Sequence, residues 1–378
     1  MQSHVRESRS VASHSTLLLM TFWGRISLLV VLVSFAADQC LAVELGDESR
    51  RFKVETIATG LNNPCGLAVR PGGTKTEEVF FSESGAARVV RLNTSDPQSI
   101  QTVVEGFPTG GWALDESLQV GPLGLAFLKR TKLVVGSGGL GVGKDSLRIY
   151  DLPTELPFNA TIDYSDIDYE LGPIGPGART ATGEGGHFSL VVKPDVALFA
   201  SSLGDPERSW LLKASISKNK AFDLQPHAAT RQLYDCDHLL AATLNLEQSD
   251  LGYLLVGSCG KLGGERRDSR VAFLSPHSGR LALDLPASLK DVAALSYSPS
   301  GQLYAADLAW DDDEGGGIYR LDEKLIDGNQ VCHPVLIAKA VRPTSLVFTS
   351  KTTLYVTAFG KVGEKLSGGQ LLKITGVF

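Results

Sequence analysis

Nine polar residues stand where side chains from distant parts of the chain could meet: Asn63, Glu83, His187, Asp205, Asp237, His238, Asp291, Asp307 and Arg342. Most of them either precede an apolar stretch by a residue or two, as Asn63, His187, Asp237, His238, Asp291 and Arg342 do, or close one, as Glu83 and Asp307 do. Asn62 and Glu184 accompany them. Carboxylates, imidazoles, amides and a guanidinium are the ingredients of a metal or polar-ligand site. The ordinary alternative is that a carboxylate at a strand end caps a turn and that His187 and His238 are surface histidines.

Other chemical signals are weaker. GGLGVGKD (138–145) has the glycines and Lys of a phosphate-binding loop, but Asp145 stands where Ser or Thr is needed and the stretch joins two strands. DDDEGGG (311–317) is acidic but lacks the alternate spacing of a calcium loop, and reads as a solvated hairpin. There is no GxSxG and no nucleophile ordered with a base. Cys236 and Cys259 fall near one another in the pattern below and form the candidate disulfide, while the absence of CxxC argues against a zinc site of the usual spacing. NTS at Asn93 and NAT at Asn159 are glycosylation acceptors in a suitable host.

The elements that must position these residues come from a repeat. Asp291 to Asp322 shows it most clearly: an apolar strand, a Ser-Pro-Ser-Gly turn, a second strand ending on Asp307, an Asp/Gly loop and a third strand. Six second strands align without gaps, VFFSE, LVVGS, LFASS, LLVGS, LYAAD and LYVTA, with their last residues 49 to 65 positions apart. First strands such as GLAVRP, GLAFLK and SLVVKP are apolar with little alternation, as strands buried on both faces are. That period with several short strands predicts an all-β fold, a six-bladed β-propeller of four-stranded antiparallel blades. Fourth strands are more polar, clearest at IQTVVEG (100–106) and PVLIAKA (334–340). The chain ends after the sixth third strand, so FKVETIATG (52–60) is expected to supply the missing outer strand and close the ring.

Connections in such a blade alternate between two faces. Turns between first and second strands are tight, whereas the opposite face carries long Gly-rich insertions, including 107–121, 138–145, 171–187, 260–268, 311–317 and 360–369. Function sits on loops held by a rigid scaffold, so the loop-rich face is the expected working face. The segment Lys218 to Thr230 reads as an exception on the other face.

Residues 1–42 are expected to be a targeting segment, with Ile26 to Ala37 as its apolar run, cleavage after Ala36, Ala37 or Ala42, and Met20 as a candidate true start. Twelve apolar residues are too few to span a bilayer, which needs roughly 20. Residues 43–51 read as a linker and 52–378 as the propeller. The expected location is secreted or periplasmic, as a monomer with no membrane contact after cleavage. A net charge of −6 and a pI near 5.7 argue against nucleic-acid binding.

PCGLAVRPGG…VFFSESGAARVVRL (64–92) and ALSYSPSGQLYAAD…GGIYRLD (294–322) resemble the six-bladed group that holds NHL repeats, the gluconolactonase/regucalcin (TolB-like) family and the soluble sugar dehydrogenases. The likeness covers nearly all of the chain after residue 51. For the lactonase-like members it implies one divalent metal such as calcium at the channel mouth, with Glu83, Asn63 and Asp307 in the ligand positions. Asn62-Asn63-Pro64 stands where those enzymes have Glu-Gly-Pro. For the quinone-dependent dehydrogenases it implies a His before a strand and a later Gly-Asp. His187 and Gly204-Asp205 match, and the two glycines expected after the histidine are absent. The expected function is therefore an exported module that binds a protein, a glycan or a small polar ligand on its loop-rich face. Alternatives are a metal-dependent lactonase or esterase at the channel mouth and a quinone-dependent sugar oxidoreductase.

Overall fold

A computed structural model describes residues 46–72, 78–94, 96–154, 161–235, 237–244, 252–260, 262, 264, 266–361 and 368–378. The expectations for the targeting segment, Asn159 and Cys236 fall outside these residues. Among the described residues, no helix is long and apolar enough to cross a membrane.

Six antiparallel sheets form the blades of a propeller. Blade one contains Pro64–Val69, Glu78–Glu83, Arg88–Asn93 and Asp96–Glu105; blade two contains Pro122–Lys129, Lys132–Ser137, Leu147–Asp151 and Tyr169–Leu171. Blade three runs through Leu190–Lys193, Ala197–Ser201, Trp210–Ser217 and Lys220–Ala229, and blade four through His238–Leu244, Leu254–Cys259, Arg270–Leu274 and Leu281–Pro286. Blade five holds Val292–Tyr297, Leu303–Asp307, Gly317–Ile326 and Asn329–Lys339. Blade six takes Pro343–Ser350, Thr353–Ala358 and Gly369–Thr375 from the carboxy-terminal end and Lys53–Leu61 from the amino-terminal part. Lys53 to Leu61 pairs antiparallel with Thr375 to Gly369, which is the expected ring closure.

Three details differ from the sequence reading. Lys218 to Thr230 is not an insertion: Lys220–Ala229 is the outer strand of blade three, joined to Trp210–Ser217 by a turn with φ of 50° at Lys218 and 61° at Asn219. Positive φ at both turn residues matches the twist of a two-residue hairpin. Pro226 is tolerated because an edge strand needs no donor on its free side. The blade-five hairpin is longer than expected, turning at Asp327-Gly328. Part of the expected linker, Gly46–Asp47, adds a short parallel strand to blade five, and Glu48 meets Arg320 at 3.0 Å.

Adjacent blades bury apolar faces against each other. Phe80, Val89, Leu133 and Tyr150 pack between blades one and two, and Tyr304, Ile318, Val356 and Ile374 between five and six. Backbones of neighbouring first strands come so close that a Cβ on Gly66 would lie 2.4 Å from the Leu123 carbonyl oxygen, and one on Gly124 2.8 Å from that of Phe188. At Gly66 and Gly124 the neighbouring backbone leaves no room for a side chain, whereas the same repeat position carries Ser or Ala in the other four blades.

Second strands also stitch blades together through hydroxyls. Ser82 Oγ accepts from Gly66 N and donates to Leu123 O of the next blade. In blade six Thr357 Oγ1 donates to Cys65 O across the ring closure.

Candidate functional site

The loop-rich end of the channel gathers most of the residues singled out above, but it buries them. Asn63, Glu83, His187, Asp205, Asp291, Asp307 and Arg342 are each 8% exposed or less. A buried polar side chain must find partners within the protein, because burial without them costs about 1–3 kcal/mol per group. Glu83 takes the Asn62 backbone N–H at 3.0 Å and the Arg88 guanidinium at 2.6–2.8 Å. The Asn63 amide donates to Gln119 O at 2.8 Å. Asp307 receives the backbone N–H groups of Asp291 at 2.7 Å and Lys290 at 3.1 Å. It is the turn-capping carboxylate that its position at a strand end allowed.

Between blades two and three, Glu184 is fully buried, with one oxygen bonded by Ser202 Oγ and the other without a partner. Burial raises its pKa against the pull of those hydrogen bonds. His187 Nδ1 faces Ser201 O at 3.2 Å, and burial lowers its pKa, so the ring is a neutral tie between strands. Asp145, not singled out as a candidate, accepts from Leu140 N and Gly186 N and anchors both loops. Asp205 caps its own turn through Glu207 N and pairs with Arg208 at 2.9 Å.

Asp237 pairs with Arg231 at 3.3 Å, and His238 is half-buried with a pKa lowered by burial. Arg342 donates to Trp310 O and Gly360 O and meets Asp313 at 2.6 Å. Asp312 of the acidic hairpin bonds Lys290 at 2.8 Å and caps its own turn through Glu314 N and Gly315 N. Cys259 lies in the apolar cluster described next, with Sγ 4.0 Å from Val292 O. Its suggested pairing with Cys236 lies outside the described residues.

The centre of the mouth is apolar. The segment between blades one and two folds into a hairpin, Gly110–Trp112 against Asp115–Val120, which joins no blade sheet. It lowers Trp112 onto the axis, 1% exposed, among Phe188, Trp310 and Phe359 at ring-centroid distances of 5.9, 5.4 and 5.9 Å. Cys65, Val120, Leu123, Leu240, Cys259, Ala293 and Leu308 complete the cluster. Below it, all six blades contribute, through Gly66, Leu125, Leu190, Ala242, Ala293 and Thr344, to a cavity of about 80 Å³ that reaches up to Phe188. The Trp112 indole nitrogen is buried without an acceptor. Sequence reading marked this insertion as a loop and missed its plug. The signal was Trp112 itself, a large apolar residue inside a Gly-rich stretch.

No family model matches the sequence, and neither does any curated protein. Solved structures do match. A luciferin-regenerating enzyme aligns with a TM-score of 0.57 and 11% identity over 86% of this chain and 95% of that one. A gluconolactonase from Xanthomonas campestris gives 0.52 and 14% over 90% and 93%. An oxidoreductase described as a glucose dehydrogenase, from Thermus thermophilus, gives 0.53 and 15% over 85% and 99%. The chain shares the six-bladed propeller fold of this group. Identity this low speaks for the fold alone.

The residues present do not fit the cofactors that the fold group implies. Glu83 is held by Arg88, the Asn63 amide is turned to Gln119, and both Asp307 oxygens accept backbone amides. Among the described residues, no group of three or more His, Cys, Asp or Glu is placed to hold a metal. His187 is 1% exposed and its ring Nδ1 is bonded to Ser201 O, so it presents no base to a quinone and sugar at the mouth.

Proposed function

We propose that this chain is an exported propeller that binds its ligand at the loop-rich mouth and does so without a metal there. The observation that carries the reading is the pairing of every metal-candidate side chain with protein groups around an aromatic plug. Trp112, Trp310, Phe188 and Phe359 are buried and close the centre of the mouth, so a ligand that takes the place of any of them needs apolar surface rather than the hydroxyls of a bare sugar or lactone. The exposed Leu140 and Val142 on the adjoining loop support the same face. A metal-dependent lactonase is the second reading, supported by fold neighbours described as gluconolactonases.

Elemental analysis of the purified full chain decides between them. The expected result is far less than one Ca, Zn or Mn per chain and a Tm unchanged by EDTA or added calcium. A stoichiometric metal that Asp307→Asn removes would overturn the binding reading in favour of the hydrolase.

A further inference from the structure

The Trp112 indole belongs to a buried cluster of aromatic and aliphatic side chains, but it reaches that cluster on a hairpin that is part of no blade. Three rings, Phe188, Trp310 and Phe359, surround it on the propeller axis, with tilted and edge-on contacts at 5.4–5.9 Å. These three rings stand on or beside blades, whereas Trp112 arrives on the separate two-stranded hairpin. Its ring nitrogen is buried without an acceptor, so the closed state carries an uncompensated donor that opening would return to water. The hairpin is tied down by the Asn63 amide donating to Gln119 O and by Gly121 N donating to Ser84 Oγ, each at 2.8 Å. The chain enters it from Gly106, at a φ of 82° that suits a hinge, just before Phe107 is anchored on Tyr150 and Tyr164.

We infer that the hairpin is a displaceable plug, and that the space Trp112 vacates is a binding site for a small planar aromatic molecule of about indole size. The inference rests on the proposed reading of the mouth as a binding surface and names the ligand class. Three aromatic walls favour a flat ring that stacks and meets edges, and the floor opens toward the axial cavity beside Phe188. In the closed state the protein's own indole holds the site, so the apparent affinity for an added ring is reduced by the fraction of molecules that are open.

The test uses indole itself, titrated calorimetrically into the full-length chain. The expected result is one-to-one binding to the wild type, with faster hydrogen exchange of residues 110–120 when indole is present. Ser84→Ala and Asn63→Gly each remove one tie of the hairpin, and glycine keeps the backbone of position 63, where φ is 49°. Each is expected to tighten indole binding about 3–10-fold, the effect of one lost hydrogen bond on the open fraction. Tightening on removal of a bond is the opposite of what a merely damaged site would show. Trp112→Ala, which needs no opening, is expected to bind tightest.

Wild-type protein that does not bind indole, even though Trp112→Ala does, would show a plug that never leaves and would overturn the inference. So would indole affinity unchanged or weakened in both Ser84→Ala and Asn63→Gly. A metal-free chain that fails these tests loses the aromatic site but keeps the binding reading. A stoichiometric metal would sink that reading itself.

Discussion

Burial pushes the Asp291 carboxyl up to about 7, since desolvation outweighs the bond from Trp310 N, and Asp307, Asp268 and Asp311 add repulsion. A carboxyl whose pKa is raised on folding contributes stability that is complete below its unfolded value near 3.8 and lost as pH rises to about 7. Asparagine can still accept from Trp310 N but carries no charge. Asp291→Asn should therefore remove part of the fall in stability between pH 4 and 7 and be more stable than the parent at pH 8. The ceiling on that gain is about 4 kcal/mol. Urea midpoints at several pH values check it, and the difference between variant and parent is the quantity to read. Glu184 and Asp307 shift in the same sense as Asp291, while His187 and His238 shift oppositely, and all of them remain in both proteins. Identical pH profiles would mean that Asp291 is ionised and solvated after all.

At the scale of elements, the hydroxyl near the end of a second strand is a joint between blades. Thr357→Val keeps the shape and removes the bond to Cys65 O, at the seam where blade six meets blade one. The expected cost is about 1–2 kcal/mol, seen as a lower urea midpoint at unchanged slope. The strands themselves were legible from apolar runs, and their loss of alternation was explained by burial on both faces. Two hairpins were not. Lys218-Asn219 and Asp327-Gly328 are two-residue turns at positive φ, and the stretches that reach them, Lys220–Ala229 and the extensions 322–326 and 329–333, are too polar to stand out by pattern alone. The Trp112 hairpin was hidden for a different reason: its glycines signal a loop, and only contact with three rings from other elements makes it a plug.

Across the whole molecule, the closing strand matters more than its sequence suggests. Lys53–Leu61 is largely exposed on its own, yet it satisfies the edge of Gly369–Thr375 and brings Phe52 onto Phe378 at 5.1 Å. Removing residues 46–61 should leave that edge bare, expose the apolar face around Tyr355 and Leu371, and abolish a single cooperative thermal transition. Calorimetry of the truncated chain checks this, and an unchanged transition would mean that the last blade is stable with three strands.

Repetition was visible in one dimension, because each blade repeats its apolar strands and its turn chemistry locally. Blade number and ring closure follow from that periodicity, and the expectation of a working face on the loop-rich side was drawn from it too. Which side chains at the mouth are free could not follow from it. Glu83 looks like a metal ligand until Arg88 is seen across it, and His187 like a catalytic base until it is seen bonded inward. Availability depends on pairings that strand periodicity does not specify, some across a single hairpin, as for Glu83 and Arg88, and some made only when the inserted hairpin docks, as for Asn63 and Gln119. Only the tertiary structure decides those contacts, and here they turn the candidate metal ligands onto protein partners and set an indole among three aromatic rings.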